Sequence, residues 1–133
     1  VAGDAATMAR VHRFRKMYGG AMRQSGLLAA ACIHALDHHV DRLAEDHERA
    51  RRLAEAINEC PGFSVELDAV QTNIVYFDVD PSRGTPLELV EALDREGVRM
   101  LDIGPRTMRA VTSLAVDDGA IDHSIRVLQS LAD

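Results

Sequence analysis

The chain has no tryptophan and only three Phe and two Tyr in 133 residues, so aliphatic side chains and alanine must fill its core. Its two cysteines, Cys32 and Cys60, lie far apart and form no C-x-x-C pair. That argues against a disulfide framework and fits reduced thiols in a cytoplasmic protein. Lysine is nearly absent: Lys16 stands alone among 15 cationic residues. The longest apolar run, Leu27 to Ile33, is far too short to span a bilayer, so no membrane association is expected. The Arg-rich start lacks an apolar signal core, and no targeting segment is expected. A G-x-x-x-x-G-K-[ST] phosphate loop is missing as well.

What is present suffices for a folded domain: 47% of the residues are hydrophobic and 27% charged. The net charge of −6 argues against nucleic acid as a partner. That charge is uneven. Residues 1–23 hold Arg10, Arg13, Arg15, Lys16 and Arg23 against Asp4, which gives +4 and leaves −10 for the remainder. A local cationic patch on an acidic chain suits a small anionic ligand.

Periodicity predicts a weakly amphipathic helix over 5–17, stopped by Gly19-Gly20. A second helix is expected from near Met22 through Leu36. It is apolar nearly all round, which implies burial at a subunit or domain interface. From Val40, a third helix presents Val40, Leu43, Ala44, His47, Ala50, Ala54 and Ile57 on one face. The acids and arginines of its other face, Asp41, Glu45, Asp46 and Arg49, read as solvated. Pro61-Gly62 ends it.

The period then shortens. Phe63 to Leu67 alternates as a half-buried strand, and Asn73 to Val79 reads as a strand buried on both faces. Asp80 to Gly84 is a turn. Pro86 opens a helix that Gly97 closes. Short strands over Val98–Leu101 and Met108–Leu114 follow, and Asp117 or Asp118 caps a last helix. The fold class is therefore α+β: long helices leading into a small domain whose mainly antiparallel sheet is covered by helices. The expected division is a helical segment over 1–58 and an α+β domain over 59–133.

Three groups of residues invite chemistry. In Tyr18-Gly-Gly-Ala-Met-Arg23, glycines permit close backbone approach, and Lys16 and Arg23 flank a helix start, a pattern suited to a phosphate or carboxylate. A hinge with solvated cations accounts for the same residues. Lys16 beside Arg13 and Arg15 is either a nucleophile of lowered pKa or a supporting cation. His34 and His38 stand four apart with Asp37, His39 and Asp41 nearby, but no H-E-x-x-H occurs and no metal is expected. Arg109, in Arg106-Thr-Met-Arg-Ala-Val-Thr-Ser113, faces away from Met108 and Ala110. It is either an edge-strand arginine or a fork for a carboxylate.

Four stretches, in order, resemble the low-specificity L-threonine aldolases of the fold-type I pyridoxal-phosphate enzymes. They are RKMYGGAMRQSG, ALDHHVDRLAEDHERARRLAE, QTNIVYFDV and RAVTSLAV, and the resemblance runs from about Arg10 to the end. It implies a pyridoxal 5'-phosphate enzyme that cleaves a threonine-like β-hydroxy-α-amino acid to glycine and an aldehyde. It further implies that this chain is the C-terminal part of that enzyme: the segment leaving an upstream large domain, plus the small domain. On the same resemblance the Schiff-base lysine lies before Val1, so no catalytic residue is expected here and the chain alone is inactive. Arg109 then matches the substrate-carboxylate arginine, and Arg23 and Lys16 match cations near the cofactor, in a homodimer or homotetramer. Ala21, Ser113 and Ala115 depart from the family pattern. The alternative is a non-catalytic α+β dimerisation module built on the Leu27–Leu36 helix.

Overall fold

A computed structural model describes residues 1–132. They form two compact units, one over residues 1–40 and the other from Asp41 on. Unit 1–40 contains helices α1 (Ala5–Met17) and α2 (Gly26–His38). Asp4 caps α1: its Oδ1 accepts from the Thr7 N–H at 2.9 Å and its Oδ2 from the Thr7 hydroxyl at 2.8 Å. Those hydrogen bonds hold the Asp4 carboxyl below its ordinary pKa. Past Tyr18 the chain turns through Gly19, whose φ of +75° favours glycine, and Gln24, at φ +54°. The second of these delays α2 to Gly26 rather than the predicted Met22.

Neither helix contains a buried residue. Leu27 is 80% exposed, and Leu28, Ile33 and Leu36 also face solvent. The burial implied by their composition is thus not supplied within unit 1–40 itself.

Unit 41–133 contains α3 (Leu43–Glu59), β1 (Phe63–Ser64), β2 (Ile74–Val79), α4 (Pro86–Arg95), β3 (Leu101–Asp102), β4 (Thr107–Val111) and α5 (Asp118–Ala132). The strands form one antiparallel sheet in the order β1-β2-β4-β3. On one face Val75, Phe77 and Val79 from β2 and Met108 and Ala110 from β4 join the core with Leu53, Ile57, Leu93 and Leu128 from the helices. Phe77 meets Phe63 edge to face, with ring centroids 5.9 Å apart.

The α+β class is the one expected; the third strand is Leu101–Asp102 rather than Val98–Leu101, and two burial expectations are corrected. The strand over 73–79 is not buried on both faces, because Tyr76 is half-exposed and Asp78 exposed. The second correction concerns Asp46, which is not solvated. It is only 3% exposed on α3, beside Ala50, Leu53 and Ala54. Arg42 makes this burial tolerable, delivering Nη1 to Oδ2 at 3.0 Å and Nη2 to Oδ1 at 2.8 Å.

α3 packs against β1, β2 and α5, so the helix grouped with the leading segment by its sequence belongs to the sheet-containing unit. Arg49 to Asp118, at 2.9 Å, and Arg52 to Asp122 tie α3 to α5. Thr85 and Glu88 form a reciprocal capping box at the start of α4, and Pro86 occupies its first turn. Asp117 rather than Asp118 caps α5, its Oδ1 accepting from the Ala120 N–H at 2.8 Å.

Candidate functional site

Strand order decides the character of Arg109. β4 lies between β2 and β3, so Arg109 is in an interior strand and not at an edge. Met108 and Ala110 point into the core, which sends Arg109 to the other face with Thr107 and Val111. Directly across from it stand Tyr76 on β2 and Leu101 on β3. Among the described residues, the buried Arg109 Nε has no hydrogen-bond partner. A buried N–H donor left unmatched costs free energy, and the described residues provide no acceptor for this one.

The surroundings of Arg109 are held firmly. Asn73 Nδ2 donates to the Thr112 carbonyl at 2.8 Å, and the Thr112 N–H donates to the Asn73 carbonyl at 2.9 Å. Thr112 is buried, and its hydroxyl donates to the Asp46 carbonyl at 2.7 Å, pinning the end of β4 to α3. Ser113, one of the departures from the aldolase pattern, turns its Oγ to the Ala115 N–H at 3.4 Å. A groove of about 380 Å³ opens on the same sheet face beside Tyr76, bordered by Ile74, Asp78 and Thr107. Arg109 is not among its lining residues.

Lys16 and Arg23 belong to unit 1–40, whereas Arg109 belongs to unit 41–133. Lys16 is in the last turn of α1, and Arg23 lies in the turn before α2; both are exposed. A side chain at Gly19 would meet nothing within 4 Å, so its backbone is open to approach. Ser25 makes no side-chain cap on α2, leaving the N–H groups of its first turn without that partner.

The His34 and His38 rings stack with centroids 4.2 Å apart, and His38 Nδ1 lies 2.9 Å from the His34 carbonyl oxygen. Parallel rings do not converge on one ion, and among the described residues no His, Cys, Asp or Glu cluster is arranged to hold a metal. Cys32 is exposed, and the buried Cys60 places Sγ 3.2 Å from the Ala56 carbonyl oxygen. No described helix is long and apolar enough to cross a membrane.

Tyr76 is the neighbour that sequence reasoning missed. Its alternation marked only which face it takes, and its pairing with Arg109 depends on a register between strands separated by a helix and a third strand.

The helices and the four-stranded antiparallel sheet define an α+β unit, with Arg109 on the sheet face away from the core. The chain belongs to the beta-eliminating lyase family, whose profile matches residues 1–80. It is 30% identical over 130 residues to low-specificity L-threonine aldolase 1 of Arabidopsis thaliana, covering 97% of this chain and 36% of that protein. Against the low specificity L-threonine aldolase of Escherichia coli the identity is 44% over 78 residues, 59% of this chain and 22% of that one. Among solved structures, the cystine C-S lyase C-DES with its product cysteine persulfide superposes with a TM-score of 0.60 at 26% identity, over 82% of this chain and 28% of that one. C-DES with glycine covalently linked to its PLP cofactor superposes with a TM-score of 0.59 at 25% identity, again over 82% and 28%. The chain thus spans little more than a third of the length of the plant aldolases it matches.

Proposed function

We propose that this chain is the C-terminal part of a pyridoxal-phosphate-dependent lyase that cleaves a threonine-like β-hydroxy-α-amino acid to glycine and an aldehyde. The observation that carries the reading is Arg109, an interior-strand arginine whose buried Nε has no acceptor among the described residues. Such a donor set fits a carboxylate, and every α-amino-acid substrate brings one. The family match and the aldolase relatives support the reaction class.

When bound, pyridoxal phosphate supplies the electron sink for cleavage at the substrate α-carbon. Arg109 fixes the substrate carboxylate and with it the orientation of the bonds at the α-carbon. Lys16 and Arg23 supply positive charge for the cofactor phosphate, with the open backbone at Gly19 between them. Lys16 is a supporting cation in this reading. The lysine that binds the cofactor belongs to a region outside this chain, and the chain alone is inactive. The exposed apolar residues of α2 support assembly as a homodimer or homotetramer in the whole enzyme.

The test joins the chain to the upstream region that this reading assigns to the enzyme and measures glycine release from threonine. Release by the joined polypeptide and none by the chain alone is the expected result. Substituting Arg109→Lys should then raise KM for threonine about tenfold or more, because a point charge replaces a fork. Borohydride reduction of the chain with pyridoxal phosphate should leave no stoichiometric adduct on Lys16, and finding one would refute the assignment. A joined polypeptide that assembles but releases no glycine would favour the non-catalytic dimerisation module.

A further inference from the structure

Residues directly opposite on neighbouring strands point to the same sheet face, with Cβ atoms about 4.5–5.5 Å apart. The register therefore lays one row across the middle of the open face: Tyr76 on β2, Arg109 on β4 and Leu101 on β3. Tyr76 is 50% exposed and Leu101 51% exposed, so neither is drawn into the core. The adjoining rows contribute no free donor. Ile74 stands opposite Val111, and Asp78 already accepts the hydroxyl of the opposing Thr107 at 2.7 Å. Among the described residues the Tyr76 hydroxyl makes no hydrogen bond.

A carboxylate offers about four lone-pair directions, of which an arginine fork uses two. A phenol and a guanidinium extend to similar heights above a sheet. A small anion seated on Arg109 therefore lies within reach of the Tyr76 hydroxyl, while Leu101 can offer its other flank only an apolar wall.

We propose that Tyr76 is a second ligand-binding residue of this site, its hydroxyl donating a hydrogen bond to the carboxylate held by Arg109. The assignment rests on the carboxylate reading of Arg109 and adds to it a direction: the bound group is gripped from the β2 side and not from the β3 side. A site with a fork alone accepts small anions of many shapes. A fork with a phenol on one flank favours a planar carboxylate whose remaining lone pair points at β2.

The test follows the arginine Nε–H signals of the ¹⁵N-labelled chain during titration with sodium acetate, with sodium chloride at equal ionic strength as the control. The Arg109 signal is identified by its loss in Arg109→Lys. It should shift with acetate and stay still in chloride. Tyr76→Phe keeps the ring and removes only the donor, so it should weaken acetate binding about tenfold with the amide spectrum otherwise unchanged. Acetate binding to Tyr76→Phe equal to that of the unmodified chain would overturn the role of Tyr76 and leave the reading of Arg109 standing. An Arg109 signal that responds alike to acetate and chloride would overturn the carboxylate reading itself.

Discussion

Replacing Asp46 by asparagine keeps the shape of the side chain and removes its charge, which tests what its pairing contributes, chiefly with Arg42 and secondarily with Arg49 at 3.9 Å. Asp46 is 5% exposed by side chain and Arg42 18%, and both guanidinium nitrogens reach the carboxylate. Exposed pairs contribute about 0–1 kcal/mol, and breaking a fully buried one costs about 3–5 kcal/mol. Arg42 keeps some solvent and has Glu45 at 3.8 Å as a fallback partner, which places D46N between those limits. The expected loss is about 2 kcal/mol, or roughly 8–16 °C in Tm for a unit of this size.

The effect has a definite pH dependence. Hydrogen bonding from Arg42 is the main reason why the Asp46 carboxyl titrates below its ordinary value. A depressed carboxyl contributes stability above its unfolded pKa of about 3.9 and loses it as pH falls through the folded one. Urea and thermal melts followed by circular dichroism should therefore show a full gap between the two proteins at about pH 7, narrowing below about pH 4. A gap that is absent at neutral pH, or that persists undiminished in acid, would refute the account of Asp46 as a buried charge held by Arg42.

Three further changes probe the frame behind the site. Phe77→Ala empties a fully buried position against Phe63 and should cost about 3–5 kcal/mol in urea unfolding. Thr85→Ala removes one half of the capping box on α4 and should lower stability by about 1 kcal/mol, with serine restoring most of it. Gly62 has φ +85°, and a Cβ there would lie 2.6 Å from Arg83 Cγ. Arg83 can swing aside but the backbone cannot, so Gly62→Ala should cost about 1–2 kcal/mol by the same melt.

The helices were legible because their signals are local. Gly19, Pro61-Gly62, Pro86 and Gly97 punctuate the chain where the backbone turns, and α1 and α4 begin and end at or within two residues of the expected positions. The face of Arg109 was legible as well, since alternation around Met108 and Ala110 requires it. Its place in the sheet was not, because an interior and an edge strand of five residues read alike. The reading of Asp46 as solvated failed for a related reason. A helix pattern shows polarity but not which polar residue lies near enough to an apolar seam for a neighbour such as Arg42 to cover it.

By itself the sequence determined the order of the main helices and strands, the α+β class and the family. Those follow from backbone propensity, periodicity and motif, each encoded within a short stretch of chain. Only the tertiary structure decided that the sheet keeps one face open, that β4 lies inside it and that Tyr76 and Leu101 flank Arg109. These depend on strand order and register, which are chosen by the packing of Val75, Phe77 and Met108 against α3, α4 and α5 together, a property of no single segment.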